Sequence, residues 1–354
     1  MSARSDPALE VLLLPFVQGA LAWPQRGGAL FLRAREGWPL HQRAWPGLVA
    51  EQSYKPEADA LQRSGIEVNA SHDGGARHAL VLALPPRQRE EARALLAHAL
   101  ARCAPGGRVV ACAANDEGAK SAQADLARIA GPVASLSKHH CRVFWTAPLD
   151  APADPDLARQ WREADAPRPV VAGPGGLRFL SRPGVFAWDR IDAASALLAE
   201  RLPQDLAGRA ADLGAGWGYL GHALLTRCPG IVALDLYEAE RRALELAERN
   251  LAGFAARVEL GFRWHDVAAG LPERYDVVVS NPPFHAQGRA ARPELGRRFI
   301  AVAAQALRPG GRLWLVANRH LPYEAELAAG FASVRAVAER DGFKVIEAVK
   351  EGGR

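Results

Sequence analysis

The fold is decided by the stretch Ala210-Ala-Asp-Leu-Gly-Ala-Gly-Trp-Gly-Tyr-Leu-Gly221. An apolar segment that carries Asp212 runs into closely spaced glycines, and an amphipathic helix is predicted from Tyr219 to Thr226. Glycines at such a turn, here Gly214 and Gly216, let a ligand approach the backbone closely. The stretch therefore predicts an α/β fold that binds a nucleotide-type ligand at the turn.

Further candidate ligand residues follow along the chain. A second apolar segment, Ile231 to Leu234, ends in Asp235 and its neighbour Leu236, about twenty residues after the turn, where nucleotide-binding folds hold ribose hydroxyls. A third strand region ends at Asp266, whose carboxylate could meet an adenine amino group. The spacing Gly216-x-Gly218-x-x-Gly221 also satisfies a dinucleotide fingerprint, so an oxidoreductase stays open at this point.

The hexapeptide Ser280-Asn-Pro-Pro-Phe-His285 follows the apolar run Tyr275–Val279 at the mouth of a predicted buried strand. Pro282 and Pro283 fix two backbone φ angles near about −65° and remove two N–H donors. The side-chain oxygen of Asn281 and a nearby main-chain oxygen could then accept the hydrogens of a planar amino group, with Phe284 stacked on its flat face. The bland alternative is an Asx-Pro turn that closes a strand.

The end of the chain predicts how the sheet is completed. A helix is expected from Pro293 to Leu307 and a strand from Arg312 to Ala317, followed by two β-prone runs, Ser333–Ala338 and Phe343–Val349. Asp341-Gly342 between these runs is a hairpin-turn signal. We therefore expect a mostly parallel seven-stranded sheet that ends in an antiparallel hairpin.

These elements, in this order, resemble the class I S-adenosylmethionine (SAM) methyltransferase pattern. The resemblance rests on the Asp212 glycine turn, the later acids and the Asn281 loop, and a nicotinamide enzyme has no need of that loop. It implies SAM as the cofactor.

The first half of the chain repeats the order of the second. Ala79–Pro86, a helix and Pro105–Val110 match the order from Tyr275 to Leu315. The first copy has Leu84 where the second has Asn281, and it lacks the glycine turn, so it should bind no cofactor and should serve as a scaffold or an RNA contact. We expect two tandem Rossmann-like domains, a degenerate one at 1–150 and a catalytic one at 173–354, joined by a Pro/Ala/Asp-rich linker at 151–172.

Composition bounds the remaining possibilities. Of the 354 residues, 49% are hydrophobic, and the net charge is +5. This charge indicates a polyanionic partner only mildly, and an ordinary basic enzyme explains it equally well. No apolar run is long enough to span a bilayer, so a cytoplasmic protein without a membrane partner is expected. Four cysteines without metal-ligand spacing indicate buried thiols and no metal.

Basic residues follow the Asn281 loop and could grip phosphates beside the substrate base; they are Arg289, Arg292, Arg297 and Arg298. Their alternative is a solvated helix face. His285 is expected to orient the loop or to contact phosphate rather than to act as a base.

Four motifs together resemble the RsmC/RlmG family of ribosomal RNA guanine-N2 methyltransferases: Pro183-Gly-Val-Phe186 with Asp192, the glycine turn, the Asn281 loop, and Val316-Ala-Asn-x-x-Leu-Pro-Tyr323. The resemblance implies methyl transfer from SAM to a guanine N2 amine in ribosomal RNA or a ribosomal subunit. It implies cofactor contacts at Asp212, Gly214, Gly216, Asp235 and Asp266, and a substrate loop from Asn281 to Phe284. From their place before a predicted helix start, Phe186 and Asp192 could cover the cofactor.

Other readings of the loop stay open. Adenine-N6, cytosine-N4 and glutamine-N5 methyltransferases have a similar loop, a transfer RNA target is possible, and a non-catalytic SAM- or RNA-binding scaffold is a further alternative. A monomer is expected.

Overall fold

The structure, a computed structural model, describes residues 6–70, 75–172, 176–283 and 293–353. The chain divides into two compact units. Unit 1 extends to Ala166 and includes Arg182–Gly184, and unit 2 comprises Pro167–Ser181 and the chain from Val185 onward.

Unit 1 is built around a seven-stranded sheet of strand order β3-β2-β1-β4-β5-β7-β6. Strands β1 to β5 are parallel, and β7 runs antiparallel to both β5 and β6. Its elements are α1 (Pro7–Val17), β1 (Ala29–Leu32), β2 (Leu48–Glu51), α2 (Lys55–Arg63), β3 (Glu67–Asn69), β4 (His78–Ala83), α3 (Arg89–Ala101), β5 (Cys103–Ala114), α4 (Ala119–Ala130), β6 (Val133–Lys138), β7 (Cys141–Thr146) and α5 (Pro155–Glu163).

Unit 2 begins with an antiparallel pair, β8 (Arg168–Ala172) and β9 (Leu177–Ser181). Its main elements are α6 (Ala193–Arg201), β10 (Ala207–Leu213), α7 (Tyr219–Arg227), β11 (Gly230–Glu238), α8 (Arg241–Leu251), β12 (Glu259–Trp264), β13 (Tyr275–Ser280), α9 (Pro293–Ala306), β14 (Leu307–Asn318), α10 (Glu324–Gly330), β15 (Ser333–Arg340) and β16 (Phe343–Val349). The sheet order is β12-β11-β10-β13-β14-β16-β15, the same as in unit 1.

The sheet of unit 2 is buried on both faces, as the continuous apolar strands require. Val277 and Val279 of β13 pack into a core with α6, α7 and α8. Val278 lies in a second core with α9 and α10 on the opposite face. This three-layer arrangement confirms the predicted α/β class, and it leaves the carboxyl ends of the parallel strands along one edge of the sheet.

The terminal hairpin of unit 2 also confirms the prediction. Strands β15 and β16 pair antiparallel, and β16 pairs with β14. Asp341 and Gly342 between them have φ angles of 53° and 82°, which are those of a two-residue I′ turn. The equivalent turn of unit 1 consists of His139 and His140, which also have positive φ.

The strand registers align the two copies residue by residue. Leu32 lies beside Glu51 and Ala83 in unit 1, as Leu213 lies beside Tyr237 and Ser280 in unit 2. The residues that follow these are therefore equivalent in pairs: Arg33 with Gly214, Gln52 with Glu238, and Leu84 with Asn281.

The backbone at these equivalent positions is alike although the residues differ. Arg33 has a φ of 52° where Gly214 has 72°. The Gln52 side-chain oxygen accepts the N–H two residues on at 2.8 Å, and the Glu238 carboxylate does the same at 2.7 Å. Unit 1 thus keeps the first bend of the glycine turn with an arginine in place of the glycine, which agrees with a degenerate copy.

The segment predicted as a linker is largely folded. Residues 151–172 contain α5, which belongs to unit 1 and buries Trp161, and β8, which belongs to unit 2. Asp154 caps α5 by accepting the Leu157 N–H at 2.9 Å, and Pro155 occupies the first helical position. The dipeptide Asp154-Pro155 is typical of a connector, but it is also a strong signal for the start of a helix.

Three further observations bear on the predictions from composition. All four cysteines are buried and free of disulfides. Among the described residues, no helix is long and apolar enough to cross a membrane. The same residues contain no group of three or more His, Cys, Asp or Glu side chains that could hold a metal ion.

Candidate active site

The candidate site lies where β10 and β13 end side by side. Leu213 pairs with Ser280 in parallel register, and the Ser280 hydroxyl donates a hydrogen bond to the Leu213 carbonyl at 2.8 Å. The glycine turn follows the first strand and Asn281 follows the second, so the structure brings these two predicted features together.

The glycine turn needs its glycines. Gly214, Gly216 and Gly218 have φ angles of 72°, 56° and 89°, which side-chain-bearing residues rarely adopt. A Cβ on Gly218 would lie 2.5 Å from a methyl carbon of Leu251, whereas a Cβ on Gly216 would meet nothing within 4 Å. The turn is packed at its end and open at Gly216, which is where a ligand could approach.

The turn is anchored to the end of β11. The peptide N–H groups of Gly214 and Ala215 both donate to the Tyr237 carbonyl, at 2.9 and 3.1 Å. The Glu238 carboxylate accepts the Gly216 N–H at 2.8 Å. Burial raises the pKa of Glu238, and hydrogen bonds from backbone N–H groups oppose that shift.

Asp212 lies beneath the turn with no exposed surface. Neither carboxylate oxygen has a hydrogen-bond partner among the described residues. Burial raises the pKa of Asp212 to about 7; the Gly221 N–H counteracts this electrostatically without reaching hydrogen-bond geometry, and the nearby charge of Glu238 adds to it. A buried acid without a donor is costly, so Asp212 suits a ligand that brings a positive charge or a donor.

The structure argues against Asp235 as a ribose ligand. Its carboxylate accepts hydrogen bonds from Arg209 at 3.0 Å, Arg263 at 3.1 Å and the Tyr275 hydroxyl at 3.0 Å, and the residue is 1% exposed. Asp235 lies inside β11, which continues to Glu238. Glu238, and not Asp235, is the acid at the end of the strand.

Two other predicted cofactor residues have different surroundings. The Leu236 side chain is fully buried in the core beneath α7 and α8, so only its backbone could face a ligand. Asp266 follows β12 and accepts the Ala268 N–H at 2.9 Å, which caps a short turn at the same sheet edge as the glycine turn.

The segment from Phe186 to Asp192 lies against both halves of the site. The Phe186 carbonyl accepts the indole N–H of Trp217, a residue of the glycine turn, at 3.1 Å, and its ring is 67% exposed. Asp192 contacts Asn281 rather than the glycine turn in the described residues, because one of its oxygens accepts the Asn281 side-chain N–H at 2.9 Å.

The amide of Asn281 is held at its nitrogen end. The Nδ2 atom donates to Asp192 at 2.9 Å and to the hydroxyl of Ser195 at 2.8 Å. The Oδ1 atom is buried and has no partner among the described residues. Ser195 is not predicted by the sequence: Asp192 is a recognisable helix N-cap, but a serine in the first turn carries no signal of its contact with Asn281.

The remaining predicted residues follow the Asn281 loop. Pro282 is buried and Pro283 is exposed. In α9, Arg297 is bound to the Pro322 carbonyl and paired with Glu326, and Arg298 donates to the Ala268 carbonyl at 2.8 Å. The predicted residues Phe284, His285, Arg289 and Arg292 lie outside the described residues.

This strand order, with a glycine turn and an Asn-Pro-Pro loop at neighbouring strand ends, defines an α/β methyltransferase. The family description "Methyltransferase small domain" matches residues 176–347, and "Methyltransferase small domain N-terminal" matches residues 49–164.

Whole-chain relatives give the family. Ribosomal RNA small subunit methyltransferase C of Pseudomonas aeruginosa (strain LESB58) is 34% identical over 317 residues, which cover 88% of each chain. The protein of the same description from Psychromonas ingrahamii is 29% identical and covers 84% of this chain and 83% of its own. The chain belongs to the ribosomal RNA small subunit methyltransferase C family.

A solved structure supports the fold over both units. The T. thermophilus 16S rRNA N2 G1207 methyltransferase (RsmC), in complex with AdoMet and guanosine, matches with a TM-score of 0.82 and 24% identity. The match covers 99% of this chain and 94% of that chain.

Proposed function

We propose that this protein transfers a methyl group from SAM to the exocyclic N2 amine of a guanine in small-subunit ribosomal RNA. The family relatives are described as small-subunit ribosomal RNA methyltransferases, and the T. thermophilus protein as an N2 guanine methyltransferase that binds AdoMet and guanosine. The observation in this chain that carries the proposal is the Asn281 amide: its buried oxygen has no hydrogen-bond partner among the described residues, while its nitrogen donates two hydrogen bonds.

The residues of unit 2 fit the cofactor. The open backbone at Gly216 leaves room for a ligand. The buried acid Asp212, which has no hydrogen-bond partner in the described part of the chain, suits a cation. Glu238 and Asp266 stand at the ends of the next two strands, where ribose hydroxyls and an adenine amino group would be held. When bound, SAM supplies a methyl group activated by its sulfonium charge.

The Asn281 oxygen is suited to hold an amine in place. It can accept one N–H of an exocyclic NH2 group, which fixes the rotation of that group and aims its lone pair along one direction. The attacking amine is neutral and loses its proton after the methyl group has been transferred. Asn281 therefore acts by orientation and needs no basicity, and the proton leaves to water.

The prolines reduce the conformational entropy that the loop loses when Asn281 is held in this orientation. Pro282 and Pro283 restrict the backbone directly after Asn281, so little freedom remains to be lost when the substrate binds. The same loop type would serve adenine N6, cytosine N4 or glutamine N5, because each is a planar amine. The relatives, and not the loop itself, favour guanine.

The same proposal covers the cellular location, the oligomeric state and the role of unit 1. A ribosomal RNA substrate places the reaction in the cytoplasm. We propose that the protein acts as a monomer. Unit 1, whose equivalents of Gly214 and Asn281 are Arg33 and Leu84, serves as a scaffold or as an RNA contact rather than as a second catalytic domain.

The experiment is to delete the gene and map N2-methylguanosine in small-subunit ribosomal RNA by mass spectrometry. One N2-methylguanosine should be lost and should return with the wild-type gene. Purified protein should then restore it on RNA from the deletion strain with labelled SAM. Unchanged N2-methylguanosine in the deletion strain, or methylation at adenine or cytosine instead, would overturn the assignment.

A further inference from the structure

We propose that Asp192 and Ser195 act as positioning residues that fix the Asn281 amide with its oxygen toward the substrate. This inference rests on the proposed function and assigns a role to two residues at the beginning of helix α6. We call Asp192 and Ser195 the amide clamp.

The clamp uses both hydrogens of the Asn281 amide. One goes to an oxygen of Asp192 at 2.9 Å and the other to the Ser195 hydroxyl at 2.8 Å. An ionised carboxylate accepts hydrogen bonds and cannot donate one. If the amide turned over, its oxygen would face the Asp192 oxygen, acceptor against acceptor, and the NH2 group would point toward the substrate.

The clamp is itself fixed by the helix that carries it. The Asp192 oxygen that holds Asn281 also accepts the Ser195 N–H at 2.9 Å, which caps α6. Helix α6 is anchored in the core by Leu197 and Leu198, which are 1% and 0% exposed. Asn281 lies 89 and 86 residues from its two partners in sequence, so the sheet edge and α6 together set its orientation.

The consequence is a fixed hydrogen-bond polarity at the reacting position. The site presents an acceptor there and no donor from Asn281. The site should therefore select a substrate group that donates an N–H and discriminate against a carbonyl oxygen at the same place. Such an oxygen cannot donate a hydrogen bond, so the buried Oδ1 of Asn281 would stay unpaired.

The test separates the clamp from the helix cap. Asp192→Ser keeps an N-cap residue but is too short to reach Asn281, whereas Asp192→Asn keeps an oxygen that can serve both roles. We expect kcat to fall about tenfold for Asp192→Ser and for Ser195→Ala, as for a lost hydrogen bond at the reacting centre. Asp192→Asn should retain a clearly larger share of kcat, and the dissociation constant of SAM should stay within about twofold in all three.

Asp154→Ser is the matched control, since Asp154 caps α5 of unit 1 in the same way. It should leave kcat unchanged.

A pH profile gives a readout that a purely structural role would not move. Asn281→Asp places a second carboxylate against Asp192, and like charges raise the pKa of the pair. As the pH falls, one proton enters the pair, and the remaining carbonyl oxygen of residue 281 can again accept an N–H. Activity of Asn281→Asp should therefore rise toward low pH, and adding Asp192→Asn should flatten that rise.

The outcomes distinguish the two proposals. If the wild-type protein makes no N2-methylguanosine, the proposed function fails whatever the variants do. If it does, but Asp192→Ser and Ser195→Ala keep wild-type kcat, or Asn281→Asp shows the wild-type pH profile, the clamp is refuted.

Discussion

The Glu238 carboxylate accepts the peptide N–H of Gly216 at 2.8 Å, so the end of β11 is tied directly to the most open residue of the glycine turn. Asp235, three residues earlier in the same strand, is committed to Arg209, Arg263 and Tyr275. Two acids of one strand therefore have different hydrogen-bond partners.

Glu238→Ala should weaken SAM binding, because it removes both the anchor of Gly216 and the acid at the strand end. We expect the dissociation constant to rise at least about tenfold, with a modest change in thermal stability. Isothermal titration calorimetry on the purified protein measures the dissociation constant.

Asp235→Ala is the contrasting variant. It removes a buried carboxylate that accepts hydrogen bonds from the partly exposed Arg209 and Arg263 and from the buried Tyr275. The loss should cost about 1–3 kcal/mol in the free energy of unfolding, while SAM affinity in the folded protein changes little. Urea unfolding and calorimetry measure the two quantities. The assignment of Glu238 is refuted if Asp235→Ala alone weakens SAM binding.

Asn281→Ala should lower kcat at least about a hundredfold, because the amine loses the acceptor that orients it. SAM affinity should remain within a few-fold, since the glycine turn is untouched. Single-turnover methylation and calorimetry measure these effects. Asn115→Ala, an exposed asparagine at the end of β5 in unit 1, serves as the control and should keep full activity.

Asp212 should give the protein a characteristic pH dependence. Burial raises the pKa of Asp212 from its ordinary value of 3.8 to about 7. Between these values the unfolded chain has released the proton and the folded chain keeps it, so the contribution of Asp212 to stability falls as pH rises through this window and is constant above it.

The comparison that isolates this effect is Asp212→Asn, which cannot titrate. The difference in unfolding free energy between this variant and the wild type should grow in favour of the variant from about pH 4 to about pH 7, by at most ~1.4 kcal/mol per pH unit. SAM binding by the wild type should strengthen over the upper part of the same range, as Asp212 ionises. A pH-independent difference would contradict the assignment.

The turn between β6 and β7 offers a stabilising change. His139 and His140 occupy left-handed backbone positions, where asparagine and glycine are less strained. His139→Asn with His140→Gly should stabilise unit 1 by about 1 kcal/mol. The lost pairing of His139 with Glu10 is exposed and contributes little.

Urea unfolding measures this gain. Gly342→His in the equivalent turn of unit 2 should destabilise by a similar amount. No change in either direction would show that these turns carry no strain.

The sequence predicted the fold because its signals are local. The Asp-Gly turn of the last hairpin, the Asn-Pro-Pro loop and the glycine turn each specify backbone geometry within a few residues. The strand after the glycine turn is predicted correctly, but Leu236 and Tyr237 are equally compatible with its ending or continuing, so the sequence places its end at Asp235 where the structure continues it to Glu238.

The remaining differences arise from contacts between distant parts of the chain. Arg209 and Arg263 flank Asp235 only because their strands are neighbours of β11. Ser195 meets Asn281 only when α6 packs on the sheet. Neither contact has a signature in one sequence, and the predictions for 284–292 remain predictions because those residues lie outside the described ranges.

Arg33 retains the left-handed bend that Gly214 has in the other copy, and its guanidinium is bonded to Glu91 at 2.7 Å. If the two units, which share one strand order, arose by duplication, the strand ends kept the path of the chain in unit 1 after the residues at this bend had changed. Backbone shape is thus a more durable ancestral record here than residue identity. Degenerate halves of other duplicated enzymes should be recognisable by non-glycine residues that keep a positive φ where the active half has glycine.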